Sequence, residues 1–459
     1  MKAIIQFSLL SCFLLCSQLS LAAFTLPAYE KYTMDNGLDV YLMPQDEVPL
    51  VDVVLAVKVG SVSDGEQYGL AEFTTEALKF GAAGKSKIEL EDELSFYGAD
   101  FGGSAGKEVT MLGMSYAKKD GDIILPLMAD MILRPDFNQQ EIAKYQKRLS
   151  ALLKQNRESP RAMIGDIFNH LYYGDHPYAN PASGNERTIA TIDRKTIKSF
   201  YDSYFQPDNA ALIVVGDIDS KAMKAKLEKL FTNWRGTAKS QAELAKAKVP
   251  TKARVLLVNK ADAKETTFAI GGPGIALGDS DEVPVSVINT ILGARFTSWL
   301  NDELRVNSGL TYGARSRFDK ESETGTFKIS TFTKTETTFE AVDLALKTYQ
   351  RLWDKGIDSK TLASAKAYVK GLFPPRFETS SQLAGLLARM WAFDLGDEVI
   401  NDFEAKVAAL DVKSANRLAK SKFPESNLQF VFIGKADEIR EKAKAYGELT
   451  EVEIKDFYH

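Results

Sequence analysis

Apolar positions along this chain follow two different periods, and the switches between them mark out its elements. Val51 to Val59 is a nearly continuous β-branched run, which predicts a buried strand. Tyr32 to Leu42 (YTMDNGLDVYL) reads as two short strands around Asn36-Gly37, the strongest short hairpin signal available to a sequence. Helical spacing then predicts helices over 69–80, 87–97, 121–133, 138–157, 194–204 and 220–231. The second part of the chain repeats the scheme, with strands near 253–258, 266–271 and 325–333 and helices near 283–304, 338–354 and 358–371. Mixed strands with helices packed on one face give an α+β class.

The repetition is internal. Gly81 and Gly293 each close a helix-like apolar run, LKFGA in the first case and ILGA in the second. Phe137-Asn138 with Ile142 recurs as Ile357-Asp358 with Leu362, in both cases an Asx cap flanked by an apolar staple. Leu212 to Asp217 (LIVVGD) recurs as Phe430 to Lys435 (FVFIGK). Three landmarks in one order at nearly one offset indicate a duplication. The two halves, 23–236 and 253–459, are joined by 237–252, a Lys-, Ala- and Gln-rich stretch without bulky apolar periodicity that reads as a linker.

Composition narrows the class. Hydrophobic content of 45% and charged content of 26% are those of an ordinary globular chain, and its length exceeds what one core usually serves. A net charge of −5 argues against a nucleic-acid binder, which wants a basic surface. Lys2, the apolar run Ile4 to Leu15 and the small-x-small site Ser20-Leu21-Ala22 form the pattern of a secretory signal peptide over 1–22. Both cysteines, Cys12 and Cys16, lie inside it, so the exported chain would depend on its core rather than on disulfides. No later run approaches eighteen apolar residues, so no transmembrane anchor is expected.

The segment Gly69 to Gly81 (GLAEFTTEALKFG) carries the most pointed chemical information. Its frame resembles the active-site helix of the insulysin and mitochondrial-processing-peptidase family, the inverted zinc peptidases. Those enzymes have H-x-x-E-H there, two histidines for zinc and a glutamate that activates water. In this sequence the three positions are Glu72, Thr75 and Glu76. The family's third ligand, a glutamate on a later helix, falls in Ser150 to Lys154 (SALLK), which has no carboxylate. The chain has only three histidines, His170, His176 and His459, and no i, i+4 pair among them. Glu72 and Glu76 share a helix face, but two carboxylates are too few ligands for a hard ion and read as solvated helix residues. No metal ligand is therefore assigned in this chain, and no catalytic residue.

A second block matches the same family intact. Phe296, Trp299, Leu300 and Leu304 keep helical spacing, Asn307-Ser308-Gly309 ends that helix, and Leu310 to Phe318 reads as a strand. Arg305 then leaves the last helical turn while Tyr312 starts the strand. Read without the resemblance, Arg305 balances the helix C-terminus and Tyr312 is a half-buried strand aromatic. In the two-chain bacterial peptidases of the family, one chain bears the zinc motif. The other bears an Arg and a Tyr at this spacing, between helix, Gly-Leu and strand. The resemblance implies that Arg305 and Tyr312 are substrate-binding residues, a guanidinium and a phenol able to orient a peptide carbonyl.

Two other segments look chemical but are read as structural. Gly271 to Gly274 (GGPG) lacks a phosphate loop's spacing and is expected to be a turn after a strand at Phe268 to Ile270. Tyr172 to Tyr178 (YYGDHPY) is expected to be a loop whose His176 lacks an orienting third partner.

The resemblance spans about Tyr32 to Gly434. It implies two homologous halves, each a pair of α+β subdomains, folded into a clam-like shell. It further implies a non-zinc-binding subunit of a heteromeric metallopeptidase in the periplasm. This chain would hold no cofactor; a homologous partner carrying H-x-x-E-H would supply the zinc, and the substrate would be a peptide or unfolded protein. A purely structural or binding protein of the same fold is the alternative, and an autonomous enzyme with a non-zinc site is a third possibility.

Overall fold

Two six-stranded mixed sheets organise the chain, and a computed structural model describes residues 24–241 and 243–457 of it. The expected signal peptide and His459 lie outside the described residues. In the first half, β1 (Glu30–Thr33), β2 (Asp39–Pro44), β3 (Leu50–Val57), β4 (Asp100–Ala105), β5 (Thr110–Ala117) and β6 (Ala210–Gly216) lie in the order β1-β2-β6-β3-β5-β4. In the second, β7 (Arg254–Asn259), β8 (Glu265–Pro273), β9 (Arg315–Lys320), β10 (Gly325–Lys334), β11 (Gln429–Gly434) and β12 (Glu448–Glu453) lie in the order β12-β7-β11-β8-β10-β9. The five strands after the first in each list correspond one to one. The parallel pair β2 with β6 matches β7 with β11, and the antiparallel pair β3 with β6 matches β8 with β11. The duplication read from the landmarks is thus a duplication of topology, and the halves form a clam-like α+β arrangement.

Each sheet has two apolar faces to cover, because its central strand is buried along its whole length. One face of the first sheet, with Val53, Leu55, Leu212 and Val214, packs on helices of its own half, including Leu70–Ala77, Gly121–Leu133 and Arg194–Tyr204. The other face, with Tyr41, Ala56, Ile213 and Val215, is covered by Leu383, Leu387 and Trp391 from a helix of the second half, Ser380–Ala392. The second sheet mirrors this. Val258, Ala269, Val431 and Ile433 receive Met163, Ile167 and Phe168 from a helix of the first half, Pro160–Tyr173. The two halves therefore exchange a helix apiece. At Gly271 the approach is so close that a Cβ would strike the Phe327 carbonyl and the Phe168 ring.

Several predicted elements take a different form. Neither exchanged helix was expected, and Tyr172 and Tyr173, read as loop, form the last turn of one of them. Strand β8 continues through Gly271 and Gly272 to Pro273, where a terminal turn was expected, because β10 pairs with it along that whole length. The helix expected over 283–304 is broken: Glu282–Asn289 widens into a π turn at Thr290–Ala294, opens at Arg295, and resumes at Trp299 before a second π segment, Asp302–Asn307. Its packing explains the break, since a Cβ on Gly293 would collide with the backbone nitrogen of Ser316 in β9. Phe296 falls in the opening and is exposed rather than part of a buried stripe. Strand β9 begins at Arg315, so Tyr312 stands on the preceding loop and not on a strand.

The stretch between Trp234 and Arg254 has no helix or strand among its described residues, but it is pinned to the body. Lys239 N–H donates to the Ser203 carbonyl at 2.7 Å, and Leu244 and Ala247 pack beside Tyr172 and Tyr173. No helix among the described residues is long and apolar enough to cross a membrane.

Because Leu387 is fully buried beneath the first sheet, Leu387→Ala should destabilise the protein by about 2–5 kcal/mol. Urea unfolding followed by tryptophan fluorescence measures it, with Leu372→Ala, at an exposed position, as the comparison. Equal effects at the two sites would mean that the exchanged helix does not secure the sheet.

Candidate functional site

The helix Leu70–Ala77 starts from Gly69, whose φ of +95° is in the left-handed region, and is capped from a distance. Asp64 accepts from Gly69 N–H at 2.7 Å and from Ala71 N–H at 2.8 Å, satisfying donors that the first turn leaves open. Burial pushes the Asp64 carboxyl up to about 7, although these backbone bonds pull the other way. Leu70, Phe73 and Ala77 anchor the helix in the core, so the element is structurally sound.

The residues at its three motif positions are all committed to protein partners. Glu72 accepts from Ala105 N–H on the edge strand β4 at 2.6 Å, and burial raises its carboxyl, with Glu76 adding a smaller push. Thr75 is buried and donates to the Ala71 carbonyl at 2.8 Å. Glu76 pairs with Lys79 at 2.6 Å and faces Arg148 at 3.9 Å. The expectation of two solvated carboxylates thus needs correcting for Glu72, which ties the helix to the sheet edge. On the facing helix, Gln139–Arg157, Leu149 is buried and Leu153 packs on the core, while Leu152 is exposed. Among the described residues no group of three or more His, Cys, Asp or Glu could hold a metal ion. The zinc of the resembled family does not fit these residues, because the oxygens at the three positions already serve one backbone donor, one backbone acceptor and two cations.

Arg305 and Tyr312 are brought together by the second π segment and the loop after it. The guanidinium of Arg305 lies 4.5 Å from the ring centre of Phe296 and 4.9 Å from that of Tyr312, so it sits against both aromatic faces. Tyr312 is 78% exposed and Phe296 65%. The loop beneath is fixed by hydroxyls. Thr331 donates to the Gly313 carbonyl at 2.9 Å and stands 2.8 Å from the Thr311 hydroxyl, which accepts from Gly313 N–H at 3.2 Å. Thr333 donates to the Leu310 carbonyl at 2.7 Å, and Ala314 N–H donates to the Asn301 side chain at 2.9 Å. An exposed tyrosine thus stands on a hydrogen-bonded loop.

The pair borders an open groove of roughly 560 Å³ whose walls include Arg161, Ile164, Asn301, Ser330 and Phe332. Arg161 and Ile164 belong to the exchanged helix, so both halves contribute to this groove. The family resemblance, rather than spacing alone, pointed to Arg305 and Tyr312, and neither pointed to Phe296, Arg161 or Phe332. The π widening that lifts Phe296 out of its helix leaves no periodic signal. Glu72, Thr75 and Glu76 line no part of the groove.

The two histidines among the described residues have structural roles. His176 accepts from Tyr178 N–H through Nδ1 at 3.2 Å, leaving Nε2 to donate to the Ala245 carbonyl at 2.7 Å. His170 packs edge-on against Phe457, and burial lowers its affinity for a proton.

Two sequence profiles match: that described as Insulinase (Peptidase family M16) over residues 40–185, and that of the Peptidase M16 inactive domain over residues 191–369. The chain belongs to peptidase family M16. The inactive-domain match contains both Arg305 and Tyr312. Among curated relatives, this M16 chain is 24% identical to an uncharacterised zinc protease of Bacillus subtilis, YmxG, across 86% of itself and 96% of the relative. It is also 24% identical to the zinc protease PqqE of Helicobacter pylori, across 89% of itself and 93% of the relative. The solved peptidase M16 inactive domain from Pseudomonas fluorescens superimposes with a TM-score of 0.83 at 24% identity, covering 89% of this chain and 98% of that one. A protease from Helicobacter pylori superimposes at 0.81 with 23% identity, covering 89% and 100%.

The raised Asp64 gives a pH signature for the motif helix of this M16 protein. A carboxyl whose folded value exceeds its unfolded one takes up a proton on folding, so its contribution is complete below the unfolded value of 3.8 and is lost as pH rises towards about 7. Asp64→Asn should therefore flatten the fall in unfolding free energy between pH 4 and pH 7. Paired urea titrations of the variant and wild type across that window provide the check, and parallel pH curves would show that Asp64 does not titrate there.

Proposed function

We propose that this chain is the zinc-free subunit of an exported, heteromeric M16 peptidase and that it holds peptide through Arg305 and Tyr312. The observation that carries this reading is the disposition of that pair. Arg305 is supported by two aromatic rings, has no carboxylate partner among the described residues, and borders an open groove built on a fixed loop. A guanidinium and a phenolic O–H so placed can both donate to one peptide carbonyl, orienting the chain and stabilising charge that develops on its oxygen. The degenerate motif helix supports the same reading, since the residues at its zinc positions are engaged elsewhere. The names of the relatives in Bacillus subtilis and Helicobacter pylori as zinc proteases are consistent with a peptidase setting.

In this reading a homologous partner bearing H-x-x-E-H supplies zinc and the water-activating glutamate. This chain closes the chamber, which limits substrates to peptides and unfolded segments. The leader at 1–22 favours export, and the periplasm is the proposed compartment. The division into 23–236 and 253–459 around a strap at 237–252 is retained as the proposed domain scheme.

The test is reconstitution. The purified chain should cleave no peptide alone and should raise cleavage by an H-x-x-E-H homologue encoded beside it. Arg305→Ala should then lower kcat by about 10²–10³, the usual cost of one such donor, and Tyr312→Phe should act in the same direction. Zinc-dependent activity in the isolated chain would falsify the proposal. Full activity of a complex containing both variants would instead favour the purely structural or binding role.

A further inference from the structure

The groove beside Arg305 is far more basic than the chain that forms it. The protein's net charge is −5, yet Arg161, Arg295, Arg305 and Arg315 line the groove, and an adjoining hollow adds Arg317 and Lys328. No aspartate or glutamate lines either space. Carboxylates behind the wall offset part of this charge: Glu265 bonds Arg161 at 2.9 Å, and Asp319 lies 3.0 Å from Arg317 and 2.5 Å from Lys328. Asp166 lies half-buried nearby, where Lys107, Lys328 and Arg317 act on it. The remaining three have no such partner. Arg295 donates to the Ser364 hydroxyl at 3.0 Å, Arg305 rests on its two rings, and among the described residues neither they nor Arg315 meet a carboxylate within ion-pair distance.

The cations are also ordered. Arg315 and Arg317 are alternate residues of β9, a strand at the edge of its sheet, and both line the adjoining hollow. Across the ladder they pair with Ser330 and Lys328 of β10, which line the same hollow. Alternate residues of an extended chain repeat every ~7 Å on one face, so an extended peptide beside β9 would present its own i, i+2 side chains at the matching interval. Guanidinium groups bind carboxylates through paired hydrogen bonds, and cations gathered in a cleft reinforce one another's field.

We propose that this groove selects extended peptides bearing carboxylates at alternate positions, Glu-x-Glu or Asp-x-Asp, beside the residue held at Arg305 and Tyr312. The inference rests on the peptide-holding reading above and adds the substrate class to it. Arg315 and Arg317 take the two carboxylates, and Arg161 and Arg295 line the approach.

Fluorescence anisotropy of labelled, N-acetylated and C-amidated peptides on the purified chain tests it. A Glu-x-Glu peptide should bind about tenfold more tightly than its Gln-x-Gln counterpart at low salt, and the gap should close towards 1 M salt, where screening reaches ~3 Å. The double variant Arg315→Gln, Arg317→Gln should reduce the preference to about twofold, whereas Lys119→Gln, exposed and outside the groove, should leave it intact. A Gln-x-Gln peptide with a free C-terminus separates side-chain from terminal carboxylates. A preference that follows the free terminus, equal binding of the Glu and Gln peptides, or tighter binding of a short single-stranded oligonucleotide would each overturn the proposal. In the case of equal binding, loss of both peptides with Arg305→Ala would leave the peptide-holding reading standing. If no peptide binds at all, that reading fails together with this one.

Discussion

The exchange of one helix between the halves is the constraint on which the rest of this structure depends. A strand such as β6, AALIVVG, is apolar on both faces, and a sheet built around it must be covered twice. Each half supplies helices for one face of its own sheet and takes the cover for the other face from its twin. Tyr41, Ile213 and Val215 would meet water without Leu383 and Leu387, and Val431 and Ile433 would do so without Ile167 and Phe168. At about 25 cal/mol per Å² of apolar surface, leaving either sheet face open is costly enough to make the halves interdependent. The duplicated chain behaves as one folding problem, although its topology repeats.

That exchange also builds the groove. The helix Pro160–Tyr173 is needed to cover the second sheet, and its first turn carries Arg161 to the wall of the groove that Arg305 also lines. Arg161 lies over the Phe332 ring at 3.3 Å and bonds Glu265, so a residue of one half is fixed by strands of the other. The charge of the groove is therefore a property of the docked halves. The seam between the halves is held in the same way: Tyr178 donates to Glu108 at 2.5 Å, and Glu108 accepts from Ser322 N–H at 3.0 Å, linking the β4–β5 turn to the β9–β10 turn.

Much of this was legible in the sequence where local chemistry decides the outcome. Asn36-Gly37 turns between β1 and β2, Asn138 and Asp358 cap the helices that they precede, and the LIVVG and FVFIG runs are the central strands. Arg305 and Tyr312 were found from spacing and resemblance, and their side chains do meet around one point. What stayed hidden is set by tertiary contact. Strand β4 reads DFGGSA, with two glycines and little β propensity, and is a strand because β5 pairs with it. Nothing in the period of residues 283–304 announces two π segments; the first coincides with the close approach of Gly293 to Ser316, with Asn289 and Ser316 bonded beneath at 2.6 Å. The exchanged helices were invisible for a related reason, since their apolar stripes answer to a sheet in the other half.

The motif helix keeps the frame of the family's active-site element without its histidines. Leu70, Phe73 and Ala77 still pack in the core, and the Phe73 ring meets Tyr145 edge-on at 4.8 Å. Its polar face has been reassigned to structure: Glu72 secures β4, Thr75 folds back on its own helix, and Glu76 serves Lys79 and Arg148. Histidines placed at 72 and 76 would have to displace these contacts, leave Ala105 N–H without its acceptor, and still find no carboxylate in Ser150 to Lys154 of the facing helix, where Leu149 and Leu153 pack into the core. The packing around this helix thus opposes a zinc site at several points at once. Meanwhile the corresponding helix of the second half is broken, and that break is what frees Phe296 to support Arg305. Two copies of one helical element have taken opposite courses, one kept regular and made structural, the other distorted to present a cation.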